Sequence, residues 1–270
     1  MPERSASPPR VVVWHRRAWF EALQFLLLFV LLAAFAIQGA QSMGYQWKWD
    51  KVPRYLYRII DGELIWGPLT KGLFVTLDNT WKAGLLALAI GLLTALLRLS
   101  RSVVGPALAW FYVELIRNTP ILVQMLIIYF IVAAILDIPR QWAGILCLAL
   151  YEGAFVAEIV RAGINAVFKG QREAGMSLGL SGFDLYRDVI LPQAIPLMLP
   201  PLGGVLVNLV KHSAIVSVIA VADLTTQARN IISDTFMAFE IWLTTAAMYL
   251  VITITLSLFI SWLEHRYRRR

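Results

Sequence analysis

Long apolar runs alternate with short polar segments along this chain. A hydrocarbon core about 30 Å thick takes about 20 mostly apolar residues to cross as a helix, and six runs qualify. The predicted spans are 20–38, 79–97, 110–136, 142–168, 193–220 and 241–263. The pattern therefore predicts an all-α, polytopic membrane protein with about six transmembrane helices.

Composition supports a membrane protein and argues against several kinds of chemistry. Hydrophobic residues make up 59% of the 270 positions, and the mean hydropathy is +0.68. The single cysteine, Cys147, lies within an apolar run, so we expect no disulfide framework and no bound metal. The sequence contains neither an H-E-x-x-H motif nor a serine and histidine constellation. It therefore does not indicate a membrane-embedded enzyme. The net charge of +7 comes from basic residues at the ends of apolar runs, which does not favour nucleic-acid binding.

The lysines and arginines predict the orientation of the spans. With a cytoplasmic N-terminus, fourteen of the 24 basic residues fall on the inner side and seven on the outer side, as the positive-inside rule requires. Both termini and the loop 170–192 are then cytoplasmic, and the segment 39–72 is external. Six aromatic residues of that segment favour an interfacial layer over a folded domain. They are Tyr45, Trp47, Trp49, Tyr55, Tyr57 and Trp66.

The first span has an alternative interpretation. A basic start, a leucine-rich core and Ala34-Phe35-Ala36 also resemble a cleaved secretory signal. We favour a retained helix because the basic leader is long and a first helix is an ordinary topogenic element. Cleavage would leave five spans and an external N-terminus.

A polar, helix-prone interruption at 170–192 separates the fourth and fifth spans. Good helix formers predict a helix at 171–180, and Ser181-Gly182 is a turn signal. A second helix is predicted at 183–190, stopping before Pro192. The sequence therefore predicts a helix, turn, helix unit across the end of the membrane domain.

Two glycines give this loop the room to be a docking surface. Gly175 and Gly179 carry no side-chain bulk, so another backbone or a partner can approach closely. The alternative is an amphipathic helix that only lies at the membrane surface.

The same loop resembles the EAA signature of permease subunits of ATP-binding-cassette importers. In that pattern E-A-A is followed by three residues, G, nine residues and I-x-L-P. The matching residues here are Glu173, Ala174, Gly175, Gly179, Val189, Leu191 and Pro192. Gly175 stands in place of alanine and Val189 in place of isoleucine, and both replacements keep the side chain small or β-branched.

Further segments resemble the polar amino acid uptake branch of that family. They are ELIRNTPILVQ at 114–124, GAFVAEIVR at 153–161 and LPQA at 191–194. The resemblance runs from about 72 to 264 and implies a five-helix permease core, so the first helix is an addition. We accordingly divide the chain into 1–71, with the leader, first helix and aromatic segment, and 72–270, the permease core with its coupling loop 170–192.

The resemblance also implies partners. Coupling helices of this family sit in a cleft of a cytoplasmic ATPase dimer, and the coupling residues would be Gln171, Glu173, Ala174, Gly175, Gly179, Leu191 and Pro192. The chain lacks a Walker loop, so ATP and Mg²⁺ would bind the partner and this subunit would hold no cofactor and catalyse no reaction. A second permease subunit, identical or related, and an external binding protein would complete an importer in the bacterial inner membrane.

Polar residues within the spans are candidates for the translocation path or its gate. The candidates are Glu114, Arg117, Asn118, Thr119, Gln124, Glu158, Arg161, Lys211, His212 and Ser213. Glu114 with Arg117, and Glu158 with Arg161, are spaced for pairing on one helical face, and we favour pairing over substrate contact.

Two features of these spans leave alternatives open. Lys211 lies within an apolar span, where it either binds a substrate carboxylate or pairs with an acid such as Asp223. Pro120 interrupts the third span, so freed carbonyls there either face a cavity or are covered by neighbouring helices.

One other class of transporter shares these features. An ion-coupled secondary carrier of amino acids also has interrupted helices and buried charges, and needs no ATPase. The six spans show no inverted repeat, which favours the importer.

Overall fold

The computed structural model describes residues 18–42, 44–100 and 102–268. The chain forms two compact units, Met1–Trp47 and Lys48–Arg270. In the first unit, helix α1 covers Ala18–Ser42. It is apolar and long enough to cross a membrane over Trp19–Gly39, which contains the first predicted span.

The second unit is almost entirely helical. Its elements are α2 (Pro53–Leu56), β1 (Tyr57–Ile60), β2 (Glu63–Trp66), α3 (Pro68–Leu99), α4 (Val104–Arg117), α5 (Ile121–Ile127), α6 (Ala134–Leu136), α7 (Arg140–Ala166), α8 (Lys169–Ser177), α9 (Gly182–Asp184), α10 (Leu191–His212), α11 (Leu224–Thr235) and α12 (Ala238–Arg268). A π-helical segment, Ile128–Ala133, joins α5 to α6, and a second, Leu185–Ile190, joins α9 to α10. A 3₁₀ turn, Ser213–Ile219, continues α10.

Among the described residues, five helical stretches are long and apolar enough to cross a membrane. They are Trp19–Gly39, Pro68–Leu99, Arg140–Ala166, Gly182–Ile219 and Ala238–Arg266. A sixth crossing is made by Val104–Arg117 together with Ile121–Leu136 if these two helices, bent by 108°, form one span. The predicted all-α fold class is confirmed, and the β1–β2 hairpin is a small addition that the apolar runs did not reveal.

Small residues let α3 and α7 approach closely at the centre of the second unit. A Cβ atom built on Gly91 of α3 would lie 2.4 Å from Cγ1 of Val156 on α7. Ala87 and Ala95, one turn to either side of Gly91, are buried as well. In a membrane, the surrounding lipid is as apolar as the helix surface, so the hydrophobic effect does not drive helices together. Van der Waals contact at such a close approach stabilises the helix pair instead.

The segment before α3 is folded, which corrects the expectation of an interfacial layer without tertiary structure. Val52 and Tyr55 are buried in a cluster with Leu69, Leu224 and Ile241, which ties α2 to α3, α11 and α12. Sequence alone missed this because the buried contacts lie far along the chain. The boundary drawn at 71/72 falls inside the second compact unit.

The second helix of the polar loop does not stop before Pro192, as the sequence predicted. Helical structure continues from Gly182 to Ile219 through four prolines. Pro192 lies in the first turn of α10, directly after the π-helical segment Leu185–Ile190. The wider π turn accommodates a residue that lacks an N–H and crowds the preceding turn.

Candidate functional site

The helical loop between α7 and α10 is closed by a glycine turn. The N–H of Leu180 donates to Gly175 O at 3.1 Å, and the N–H of Gly179 donates to Met176 O at 3.0 Å. This pair of bonds is a Schellman motif, and Gly179 takes the left-handed conformation, φ +78°, that it requires. Helix α8 therefore ends at Ser177, three residues earlier than predicted.

The two glycines of the loop have different roles. A Cβ atom on Gly179 would meet nothing within 4 Å, so this glycine is needed for its backbone conformation rather than for a close approach. Gly175 is buried, and a Cβ atom there would lie 2.5 Å from Cδ1 of Leu185. The close approach predicted at Gly175 is thus made within the loop itself.

The outer surface of the loop carries exposed apolar and polar side chains. Gln171, Glu173 and Ala174 are exposed on α8, Pro192 is exposed on α10, and Leu191 is half-buried. Four large apolar side chains are also exposed, and they are Phe168 (78%), Met176 (58%), Leu178 (81%) and Phe183 (72%). Arg172 holds α8 to the end of α7 through a 2.7 Å bond to Ile164 O. The loop is a fixed surface with an apolar patch, which is typical of a protein-docking site.

A chain of ring and charge contacts links α4, α7 and α10 within the spans. The Arg117 guanidinium lies 5.6 Å from the Phe155 ring centre, and the Phe155 and Tyr151 rings are 5.2 Å apart. Tyr151 meets the His212 ring edge-on at 5.5 Å. Nδ1 of His212 lies 2.6 Å from a carboxylate oxygen of Glu152.

This polar cluster, Arg117, Tyr151, Glu152, Phe155 and His212, is partly open to the surroundings. Arg117 is exposed, His212 is partly exposed, and Glu152 is only 2% exposed. A buried carboxylate within an apolar span is costly unless it is paired, and His212 supplies the partner. Glu152 was not among the residues predicted from the sequence, although an acid inside an apolar span is itself a signal of a functional or paired group.

Lys211 lies beside the cluster on α10 and is exposed. The suggested pairing with Asp223 is not formed, because Asp223 caps α11 by accepting from the N–H of Thr226 at 2.9 Å. Ser213 is buried, and its hydroxyl donates to Val210 O at 2.6 Å. Of the three neighbours 211–213, Lys211 is exposed, His212 is partly exposed and Ser213 is buried with a structural hydrogen bond.

The two expected i, i+3 ion pairs have different outcomes. Glu158 pairs with Arg161 at 2.8 Å and also with Arg98 of α3. Glu114 instead accepts a hydrogen bond from Asn118 Nδ2 at 2.9 Å, and Arg117 turns to Phe155. The pairing expected between Glu114 and Arg117 does not form because the helix ends at Arg117, where the side chains meet new partners.

Side chains satisfy the carbonyls that Pro120 frees between α4 and α5. Nε2 of Gln124 donates to Ile116 O at 2.7 Å and to Thr119 O at 3.1 Å. The Thr119 hydroxyl donates to Leu115 O at 2.8 Å, and Asn118 Nδ2 donates to Glu114 O at 2.8 Å. These residues hold the bend. The carbonyls of Glu114, Leu115, Ile116 and Thr119 each accept one of these bonds, so they are not free to face a cavity.

No group of three or more His, Cys, Asp or Glu side chains in the described ranges is placed to hold a metal ion.

Comparisons with known proteins match most of the second unit. The model of the family described as binding-protein-dependent transport system inner membrane component matches residues 87–269. The glutamine transport system permease protein GlnP of Escherichia coli K12 is 41% identical over 182 residues, covering 66% of this chain and 83% of that protein. The probable glutamine ABC transporter permease protein GlnM of Bacillus subtilis 168 is 40% identical over 196 residues, covering 70% and 89%.

Comparison with solved structures also finds ABC transporters. A structure described as an amino acid ABC transporter with histidines has a TM-score of 0.70 and 44% identity, covering 74% of this chain and 94% of that one. An inward-facing structure of the MetNI methionine ABC transporter has a TM-score of 0.59 at 23% identity, which supports the fold alone.

Proposed function

The chain belongs to the family of binding-protein-dependent transport system inner membrane components, and we propose that it is the permease subunit of an ATP-driven importer of polar amino acids. The observation that carries this proposal is the helical loop between α7 and α10, residues 167–190, a fixed surface with an apolar patch beside Glu173 and Ala174. A secondary carrier has no need of such a surface. The glutamine permeases among its relatives support amino acids as the substrate class.

The loop is the site where an ATPase dimer engages this subunit. Phe168, Met176, Leu178 and Phe183 would be covered on docking, and Glu173 and Gln171 would contact the rim of the cleft. ATP and Mg²⁺ bind that partner, so hydrolysis takes place there and this chain catalyses no reaction. Because the loop runs through Leu191 and Pro192 into α10 without a break, movement of the loop is transmitted directly to the span that carries Lys211 and His212.

The polar cluster lies on the translocation path. Arg117 and Lys211 are exposed cations suited to a substrate carboxylate, which every amino acid carries. His212 is partly exposed and is held in place by the buried Glu152, so its ring supplies a polar group for the substrate. A second permease subunit, identical or related, would form the opposite wall, and an external binding protein would deliver the amino acid.

The proposed orientation places the loop, the N-terminus and the C-terminus in the cytoplasm of a bacterial cell. Fourteen basic residues, among them Arg98, Lys169 and Arg187, fall on this side of the spans, against seven on the opposite side. The β1–β2 hairpin and α11 are then external.

Reconstitution tests the proposal. The chain would be co-expressed with a candidate ABC ATPase, purified, and placed in proteoliposomes with a candidate binding protein. We expect uptake of labelled glutamine or another polar amino acid that requires internal ATP, the ATPase and the binding protein together. Uptake by the chain alone, driven by a proton or sodium gradient, would instead establish the secondary carrier.

A further inference from the structure

The β1–β2 hairpin has two chemically different faces. Cross-strand partners share a face of a sheet, and successive pairs alternate between faces. Tyr57 pairs with Trp66 and Ile59 with Leu64, so one face consists of four apolar side chains. The other two pairs, Arg58 with Ile65 and Ile60 with Glu63, place two charged residues on the opposite face. The first face is called the apolar face below.

The apolar face is exposed. Tyr57 is 47% exposed, Ile59 69%, Leu64 53% and Trp66 46%. An isolated two-stranded hairpin gains nothing from holding four such side chains in water, and exposed apolar groups of this kind mark an interaction surface.

The base of the hairpin is fixed to the helices. The N–H of Gly67 donates to Leu56 O at 2.8 Å, and the Thr70 hydroxyl donates to the same oxygen at 2.7 Å. The N–H of Lys48 donates to the Glu240 carboxylate at 2.6 Å. The position of the apolar face is therefore set by α3 and α12 and not by a mobile loop.

The apolar face continues an exposed apolar stripe on α3. The Trp66 ring meets the Phe74 ring edge-on at 6.0 Å, and Phe74 is 50% exposed. Exposed apolar residues then recur every three or four positions along the same side of this helix. They are Leu77, Trp81, Leu85, Leu88 and Leu92. On a membrane-crossing helix such a stripe suits contact with lipid, and the apolar face adjoins its Phe74 end.

We propose that the apolar face of the hairpin is inserted into the external leaflet beside α3, where it is covered by phospholipid at the boundary between headgroups and acyl chains. Tyr and Trp side chains suit this depth because their rings combine an apolar body with a polar group. The charged residues Arg58 and Glu63 then lie on the headgroup side. The inference rests on the proposed placement of α3 across the membrane. The hairpin lies outside residues 87–269, so it is an addition to the part of the chain that the family model matches.

Site-directed labelling of the full-length chain tests this proposal. The buried Cys147, the one cysteine in the sequence, is replaced by alanine, and a single cysteine is placed at Ile59 or Leu64 on the apolar face. Matched controls carry the cysteine at Arg58 or Glu63 on the opposite face. Each variant is labelled with an environment-sensitive fluorophore and reconstituted into vesicles of phosphatidylethanolamine and phosphatidylglycerol, with or without lipid that carries a nitroxide near the headgroup end of its acyl chain.

We expect nitroxide lipid to quench the labels at Ile59 and Leu64 several-fold more strongly than those at Arg58 and Glu63. Equal quenching on both faces, or none, would overturn the proposal. So would protection of Ile59 only after addition of the binding protein, or cysteine cross-linking of Ile59 to a second copy or to α1, because each would identify another occupant. If Cys147→Ala does not fold, the same labels are placed with Cys147 retained, since its burial keeps it unlabelled. Quenching is independent of ATP and substrate, so a failure of transport does not affect this test.

Discussion

Nδ1 of His212 lies 2.6 Å from a carboxylate oxygen of Glu152, although the two residues are 60 positions apart in the chain. The contact joins α10 to α7 within the apolar spans, where Glu152 is almost fully buried. Removing one partner of such a pair leaves a buried polar group unsatisfied, which costs more than the bond itself contributes.

A double-mutant cycle measures the coupling between these two residues. His212→Leu leaves the Glu152 carboxylate without its partner, so we expect it to lower the free energy of unfolding by about 1–3 kcal/mol. Glu152→Leu with His212→Leu should cost less than the sum of the two single changes. Thermal unfolding of the four proteins in detergent provides the values, and strict additivity would show that the pair contributes no coupling.

Local sequence patterns predicted the helices of this fold but not the partners of its charged residues. The break at Pro120 follows from backbone chemistry that the residue type determines. The left-handed turn at Gly179 was not predicted, because the sequence pattern predicts the turn at Ser181-Gly182 and a close approach at Gly179. The pairing of Glu152 with His212 depends on how α7 packs against α10, which no spacing within one helix encodes. For the same reason the i, i+3 rule succeeded for Glu158 and Arg161, within one helix, and failed for Glu114 and Arg117, where α4 ends.

Substitutions at Gly179 separate the effect of backbone strain on the loop from the effect of losing a side-chain contact. Its left-handed conformation costs a residue with a Cβ about 1–2 kcal/mol, and asparagine tolerates it better than valine. We expect Gly179→Val to displace the Schellman turn, weaken co-purification of the ATPase and reduce uptake, with membrane insertion intact. Gly179→Asn is the matched control and should retain most of both. Unchanged ATPase binding in the valine variant would argue against a coupling role for this loop.

Glu158 joins two arginines from different helices, Arg98 of α3 and Arg161 of α7. Glu158→Gln leaves two partly buried guanidinium groups without an anion. We therefore expect it to lower the free energy of unfolding by on the order of 2 kcal/mol. Arg161→Gln keeps the contact between α3 and α7 and should cost less. Equal effects of the two substitutions on the unfolding temperature would mean that the contact across helices contributes nothing.

Asp223 makes stability depend on pH. Burial raises the pKa of this carboxyl above its ordinary value, although hydrogen bonds from Thr226 oppose the shift. The folded state therefore binds the proton more tightly than the unfolded state, and the free energy of unfolding falls as pH rises from the ordinary carboxyl pKa through the raised one.

Asp223→Asn removes this titration and keeps an N-cap side chain for α11. We expect the Asp223→Asn variant to unfold at a higher temperature than the unchanged protein. This difference should be largest near neutral pH and should shrink as the pH is lowered. Asp234→Asn, at an exposed position on the same helix, is the control for the same substitution outside the buried site. A constant difference for Asp223→Asn across the pH range would contradict the assignment.

Lys211 provides the sharpest test of the translocation path. It is exposed on α10 within an apolar span, next to His212, and no ion pair holds it among the described residues. If it binds the substrate carboxylate, Lys211→Gln removes a charged hydrogen bond of about 1.5–3 kcal/mol, which corresponds to roughly a tenfold or greater rise in the KM for uptake. Lys82→Gln is the matched control, because Lys82 lies near the middle of α3 and already pairs with Asp78 at 2.6 Å. We expect Lys211→Gln to change transport kinetics without changing ATPase co-purification or the unfolding temperature. If both variants transport alike, Lys211 does not contact the substrate, and Arg117 becomes the cation to test next.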